Sequence, residues 1–246
     1  FETSFHGTIP DCRTTYGVPY HWREELGIRK YGFHGSSHEY IAGKMQQLCP
    51  EARRVISCHL GGSSSICAIK DGKSVATTMG ATLQSGLFNN NRVGDFEAFC
   101  LPMLMEHYDG SMEKVLQILA GQSGLLGLSG VSNDLRQVLQ AMDAGNERAR
   151  LAVETLADNI VGYIGMYTAY LGGLDALVFT GGIGLHSDRI RKMVCAQLAY
   201  LNLELDEEKN AAANTEQIST VGSSVGVYRI KTDEEIVVAR NVYTLL

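Results

Sequence analysis

The chain has 246 residues, 45% of them hydrophobic, with 21 Lys+Arg against 27 Asp+Glu and a formal net charge of -6. That length and apolar content suffice for a buried core in one large domain or two small ones, and an acidic balance without a Lys/Arg run excludes a basic nucleic-acid surface and an anionic-membrane partner. No apolar run reaches membrane-spanning length and residues 1–20 lack the zones of a signal peptide, so the expected setting is the cytoplasm and the expected partners are small molecules.

In chain order, the opening FETSFHGTIP starts at Phe1 in the middle of what reads as a structured segment, so an N-terminal region is expected to precede it. The stretch holding Pro10 and Pro19 reads as loop. Ser36 followed by Glu39 makes a capping-box pattern, and Tyr40, Ile41, Met45 and Leu48 then recur at helical spacing, which predicts a helix over 37–48. Residues 54–60, 64–70 and 74–79 are β-rich runs separated by GGS and by Asp71-Gly72-Lys73, a meander of strands. The Asn- and Gly-rich stretch 80–96 fits neither regular period, and loops of that length are usually functional.

Helices are then predicted at 111–120, at 132–142 opened by Ser132, and at 146–171 stopped by Gly172-Gly173. LDALVFT at 174–180 reads as a buried strand, GGIG as a tight turn and 187–200 as a helix capped by Ser187. A strand near 226–230 precedes a terminal helix, for which Thr232 and Glu235 form a second capping box. Cys12, Cys49, Cys58, Cys67, Cys100 and Cys195 contain no C-x-x-C pair and are expected to be reduced and mostly buried.

Two glycine-rich turns carry the first chemical signal. HLGGSSS at 59–65 and TGGIG at 180–184 follow strands, where glycine lets backbone N–H groups approach phosphate without a Cβ in the way. Either alone is also an ordinary tight turn; together they suggest a nucleotide held between two loops. Gly72-Lys73-Ser74 ends like a P-loop, but Cys67 occupies the required earlier glycine. Gly182-Ile183-Gly184 resembles a dinucleotide-binding turn with Glu204 or Asp206 as the distant acid, yet Ser187 stands at the third glycine, which leaves a Rossmann fold as runner-up.

His34 and His38 are four residues apart, but without the H-E-x-x-H glutamate a zinc pair is disfavoured. His34 between glycines suits a hydrogen-bond donor in a tight site, against the plainer role of a satisfied structural histidine. Arg92 in NNNRVGD could reach a phosphoryl oxygen, Asp134 and Arg136 open a helix, and Glu234 is a carboxylate left free to hold Mg²⁺.

Those segments converge on one family. FETSFHGTIP, KYGFHGSSHEY, CHLGGSSS, GKSVATTMG, SGLLGLSGVSNDLR, DALVFTGGIG and KTDEEIVVAR together resemble, in order and spacing, the acetate kinases and related short-chain carboxylate kinases. The resemblance implies an α/β fold of the actin/Hsp70/hexokinase-like (ribonuclease H-like) kind, with a mixed sheet and flanking helices around Mg-ATP. It implies a nucleotide-binding C-terminal kinase domain over 1–232 that starts mid-domain, and a terminal helix at 233–246 packing on a missing N-terminal domain.

By the same resemblance Glu2, His34 and Arg92 are catalytic. His59, Leu60, Gly61, Gly62 and Ser63 form the phosphate loop; Asp134, Leu135 and Arg136 the nucleotide-contacting helix start; Gly182, Ile183, Gly184, Leu185 and His186 the adenosine loop; and Glu234 is the Mg²⁺ ligand. The implied partners are ATP/ADP, a short-chain carboxylate or acyl phosphate, and a second copy in a homodimer.

Four departures stand out: Glu2 for the aspartate of F-D-T, HLGG-Ser63 for H-L-G-N-G, Leu185-His186 after G-I-G, and NNNRVGD for T-R-S-G-D. At Gly62 an amide able to touch phosphate is gone, with the following serines as substitutes. The family's N-terminal domain supplies another Mg²⁺ ligand, a lysine near ATP, a substrate-gripping arginine and part of the acyl pocket, all absent here. A natural split gene or a non-catalytic nucleotide-binding module are the alternatives.

Overall fold

The computed structural model describes residues 2–243; the positions at 1 and 244–246 lie outside the described residues. A 3-10 turn at Ser4–Thr8 leads into α1 (Asp11–Thr14), α2 (Tyr20–Leu26) and α3 (Gly35–Leu48), then β1 (Arg54–His59), β2 (Ser65–Lys70) and β3 (Lys73–Thr77). After a long irregular loop come α4 (Leu101–His107), α5 (Met112–Gly121), α6 (Gly124–Ser129), α7 (Leu135–Asp143) and α8 (Glu147–Leu171). β4 (Ala176–Thr180), α9 (Gly181–His186), α10 (Asp188–Gln197), α11 (Glu207–Ala211), β5 (Gly226–Arg229) and α12 (Glu234–Tyr243) complete the order.

The sheet runs β3-β2-β1-β4-β5, with the β1–β2 and β2–β3 pairs antiparallel and the β1–β4 and β4–β5 pairs parallel. Antiparallel strands in this order exclude the all-parallel Rossmann alternative. Alternation along the strands feeds two layers. Ile56, Cys58, Ile66, Ala68, Leu177 and Phe179 point to one core with Val153, Ile160 and Ile164 of α8. Val55, Cys67, Ile69, Ala176 and Val178 point to a smaller core under Ile41, Ala42 and Met45 of α3. α12 lies on α3 and buries Val237.

Several boundaries differ from the sequence reading for local reasons. The opening forms short helical pieces at Ser4–Thr8, Asp11–Thr14 and Tyr20–Leu26, joined by irregular segments. The helix at 35–48 is entered through His34 in the left-handed region, and the Ser36 hydroxyl is buried without a partner among the described residues, so the capping box is not formed. Asp134, not Ser132, caps α7, while the Ser132 hydroxyl accepts from the Asp134 N–H.

GGIG is a short helix rather than a turn, because the Leu60 carbonyl accepts from the Ile183 and Gly184 N–H groups at 2.8 and 3.1 Å. Gly181 makes this possible at φ +74, where a Cβ would stand 2.5 Å from that carbonyl oxygen. At α12 the acceptor for the Ile236 N–H is Asp233, and the Thr232 hydroxyl has no partner among the described residues. Ser111, Asn146 and Ser187 do cap α5, α8 and α10. All six cysteines are free, but only Cys58, Cys67 and Cys195 are buried.

One buried cation anchors the far side of the β4–α9 unit. Arg191 is 1% exposed and donates to the carbonyls of Gly184 and Leu185 at 2.8 and 3.0 Å and to Oδ1 and the carbonyl of Asn210, both at 2.7 Å. Burial pulls its pKa down to about 10, which leaves it charged at neutral pH. It thereby occupies the negative end of α9 and pins α11 to α10. Arg191→Met is expected to cost about 3 kcal/mol by stranding these acceptors, a fall of roughly 6–12 °C in Tm. Arg191→Lys should recover only part of it, because one ammonium cannot serve two segments. Thermal melts of the three proteins check this, and an unchanged Tm in Arg191→Met would remove the anchor role.

Candidate functional site

The first turn of α3 and the adjoining ends of β1 and β2 are polar where the rest of that interface is apolar. On α3 the positions 34, 37 and 38 precede Ile41, Ala42 and Met45 on one helical face. On the sheet, Ser57, His59 and Ser65 occupy the same alternate positions as Val55, Cys67 and Ile69. His38 therefore meets Ser57 through Nδ1 at 2.9 Å and Ser65 through Nε2 at 2.8 Å. His34 Nδ1 reaches the same Ser65 hydroxyl at 2.9 Å, and Ser37 bonds His59 Nδ1 at 2.8 Å. The rings of His34 and His59 stack at 4.3 Å between centroids. His6 lies beyond His38, bonded to Ser74 and to the Phe33 carbonyl.

Burial keeps this cluster neutral. It lowers His34 to about 4, with Arg92 adding to the effect, and His59 to about 3. His6 falls to about 4 and the fully buried His38 well below its ordinary value, both from desolvation first. His34 thus offers a neutral donor; the positive charge beside it is that of Arg92. The backbone at His34 has φ 56, a costly conformation for a residue with a side chain. Glu2 holds it there, accepting from the His34 N–H through Oε2 at 3.1 Å and from the Gly35 N–H through its carbonyl at 2.8 Å.

Arg92 is delivered by the irregular loop, which is fastened at several points. The carbonyls of Asn89 and Asn90 accept from the Leu125 and Leu126 N–H groups at the start of α6, and Asn91 accepts from Ser123. Asp95 closes the loop by accepting from the Gly86 N–H at 2.8 Å and from the Tyr163 hydroxyl. The Arg92 guanidinium donates to Ser63 at 3.0 Å. Ser64 is tied to Gly61 and Ser65 to the histidines. All three serines after Gly62 are therefore engaged within the protein.

The two glycine turns meet: a Cβ on Gly61 would stand 3.7 Å from the Gly182 nitrogen. They form one end of a cleft of about 720 Å³ lined also by Asn90, Asp134, Leu135, Arg136, Ile183 and His186. Asp134 and Arg136 pair at 2.5 Å, with the Arg136 side chain 86% exposed, and the pairing lowers the Asp134 pKa. Gly184 and Leu185 do not line the cleft; their carbonyls serve Arg191. Leu60 is buried, and its carbonyl joins the two turns. His59 and Ser63 lie outside the cleft lining, with the histidine cluster and Arg92.

Glu234 borders a separate depression with Tyr40, Lys44 and Asp233. Burial first, and then the charge of Glu2, raises its pKa. Neither carboxylate forms an ion pair among the described residues, and no group of three metal-ligating side chains occurs among them. Two uncompensated carboxylates fit a hard cation that takes its remaining oxygens from phosphate and water.

Sequence reasoning missed Asn90. Its side-chain amide nitrogen lies 3.6 Å from where a Cβ on Gly62 would sit. The local signal was the NNN run; nothing local says that the loop folds back onto Gly62. His38, Ser57 and Ser65 were likewise passed over as site residues, although the polar positions interrupting an apolar strand alternation mark the latter two.

A family model described as the acetokinase family matches residues 1–240. An acetate kinase of Clostridium novyi is 44% identical over 245 residues, covering 98% of this chain and 61% of the relative. The propionate kinase PduW of Salmonella typhimurium is 47% identical over 245 residues, covering 98% of this chain and 60% of the relative. The crystal structure of Porphyromonas gingivalis acetate kinase matches with TM-score 0.94 at 36% identity, over 100% of this chain and 63% of that one. A propionate kinase from Francisella tularensis matches with TM-score 0.91 at 37% identity, over 98% and 62%. The chain thus spans about 60% of the length of the curated relatives it matches. With an actin/hexokinase-like mixed sheet, flanking helices on both faces and a match along nearly its whole length, the chain belongs to the acetokinase family.

Proposed function

We propose that this chain is the nucleotide-binding portion of an ATP-dependent carboxylate kinase of the cytoplasm, acetate first and propionate or butyrate next. One observation carries the reading: Arg92, tied to Ser63, stands beside the stacked His34 and His59 next to a cleft where the two glycine turns meet. Relatives named acetate kinase and propionate kinase match about equally well, so acyl chain length is not separated by similarity.

In the proposed reaction a carboxylate oxygen attacks the γ-phosphorus in line, the bond to the β-phosphate oxygen breaks, and ADP leaves as acetyl phosphate forms. No covalent enzyme intermediate is needed. Arg92 spreads positive charge over the equatorial oxygens and His34 adds a neutral N–H donor. The exposed Arg136 guanidinium, Asp134 and the Gly182–His186 segment take the nucleoside side of the cleft. Asn90 supplies a side-chain amide to the phosphates beside Gly62. Mg²⁺ held by Glu234 with Glu2 nearby would neutralise charge on the nucleotide phosphates. A further N-terminal domain completing the acyl pocket belongs to the same proposal, supported by the share of the relatives that the chain spans, and so does a homodimer.

Acetyl phosphate formation from ATP and acetate by the full-length protein tests the reading directly. There, Arg92→Ala should lower kcat roughly a hundredfold or more with little change in the KM for ATP; an unchanged kcat would demote Arg92 to a loop anchor. Calorimetry with Mg-ADP should give binding and none with NAD. Asn90→Ala should weaken Mg-ADP binding by about tenfold, and Gly62→Asn added to it should recover affinity. Equal affinity in Asn90→Ala would return that role to the backbone.

Residues 1–246 alone should show no measurable turnover and should self-associate. Positioning and water exclusion require the rest of the clamp, and Phe99, Met103 and Tyr243 are already exposed at 87, 71 and 80%. Robust turnover by a monodisperse monomer in light scattering would overturn the partial-enzyme reading.

A further inference from the structure

The hydrogen bonds around His38 form a chain with a direction. Its members are Ser57, His38, Ser65 and His34, linked at 2.9, 2.8 and 2.9 Å, and the first three are 0% exposed. Each neutral imidazole has one N–H and one acceptor nitrogen, and each hydroxyl has one proton to give.

If His34 donated through Nδ1 to Ser65, Ser65 would donate to His38 Nε2 and His38 Nδ1 to Ser57. The Ser57 proton would then be left in a dry interior with no acceptor among the described residues, because His38 Nδ1 is its one bonded neighbour. A buried hydroxyl left without an acceptor carries a desolvation cost that the opposite direction avoids. The opposite direction satisfies every proton: Ser57 donates to His38 Nδ1, His38 Nε2–H donates to Ser65, and Ser65 donates to His34 Nδ1. His34 is thereby fixed with its proton on Nε2, an atom with no protein partner among the described residues.

We propose that Ser57, His38 and Ser65 are positioning residues that hold His34 in the Nε2–H tautomer, so that it presents a donor and never an acceptor to the phosphoryl group. This rests on the carboxylate-kinase reading for what His34 faces, and on hydrogen-bond accounting alone for the tautomer. An imidazole with a bare Nε2 would turn a lone pair toward phosphoryl oxygens and repel them. Catalysis would then fail without any change in the position of the ring. The stacked neighbour follows the same rule: the buried Ser37 hydroxyl is bonded to His59 Nδ1, which leaves the proton of that ring on Nε2 as well.

Ser57→Ala in the full-length protein is the discriminating variant, because Ser57 reaches His34 only through two intervening side chains. Long-range ¹H–¹⁵N spectra of histidine-labelled protein report the tautomer of each ring. The wild type should show His34 as Nε2–H. Ser57→Ala removes the hydroxyl proton that sets the direction and leaves His38 Nδ1 without a partner in either direction, so the Nδ1–H form of His34 should become populated beside the Nε2–H form. With it, kcat should fall about fivefold at unchanged KM for ATP. Ser57→Cys, which keeps a weaker donor, should restore part of both signals, and Ser65→Ala should show the same loss if Ser57→Ala does not fold.

A wild-type tautomer of His34 in a folded Ser57→Ala or Ser65→Ala protein would overturn the proposal. So would a loss of kcat that merely tracks the folded fraction. If the wild type fails to transfer phosphoryl groups at all, the functional reading falls, while the spectra still decide the direction of the chain.

Discussion

The seating of the first turn of α3 on the sheet is the contact on which the rest of the site depends. An apolar helix on an apolar sheet would be the cheaper solution, and three residues further along α3 the chain adopts it with Ile41, Ala42 and Met45. At its N-terminal end the same face carries Ser37 and His38 against Ser57, His59 and Ser65. On that face the buried imidazoles and hydroxyls are tolerated because Ser37 and His38 find partners on the sheet. That requirement fixes the helix in register and rotation more tightly than apolar packing does. The ring of His34 is held as a by-product of satisfying His38.

Around this seat backbone carbonyls fasten the other parts, together with the Asp95 side chain. The Leu60 carbonyl reaches across to the start of α9 and so sets the spacing of the two glycine turns. The carbonyls of Asn89 and Asn90 serve the first turn of α6 and so set the height of Arg92 above Ser63. An arginine on a long loop ordinarily loses much entropy when it is immobilised. Here most of that loss is already taken in folding, which favours a group meant to meet charge that exists only briefly.

The elements that announce themselves by local period were legible in the sequence: the meander, the buried strand before TGGIG and the long helix ended at Gly172. The resemblance to carboxylate kinases also implied the mixed sheet. What was hidden depended on distant groups. GGIG looks like a turn because glycine is a poor helix former, and it is helical because a carbonyl of β1's extension supplies the missing acceptor. His34 and His38 look like a metal pair by spacing, yet both point to one serine of a strand that follows them by about thirty residues. The three serines after Gly62 look interchangeable, yet they bond an arginine, a glycine turn and two histidines, because strand alternation begins only at Ser65.

The left-handed backbone at His34 is the remaining cost, and it explains why Glu2 has two duties. Relaxing that conformation would swing the ring away from Ser65 and withdraw α3 from its seat. The Glu2 side chain and carbonyl oppose this by holding two consecutive N–H groups. Burial first, and then the charge of this same carboxylate, raises the pKa of Glu234. A cation placed between these carboxylates would therefore act on more than charge: drawing Glu2 toward it alters the hold on the His34 N–H. In the proposed metal-bound enzyme, occupancy and the pose of the imidazole would be coupled through this one side chain.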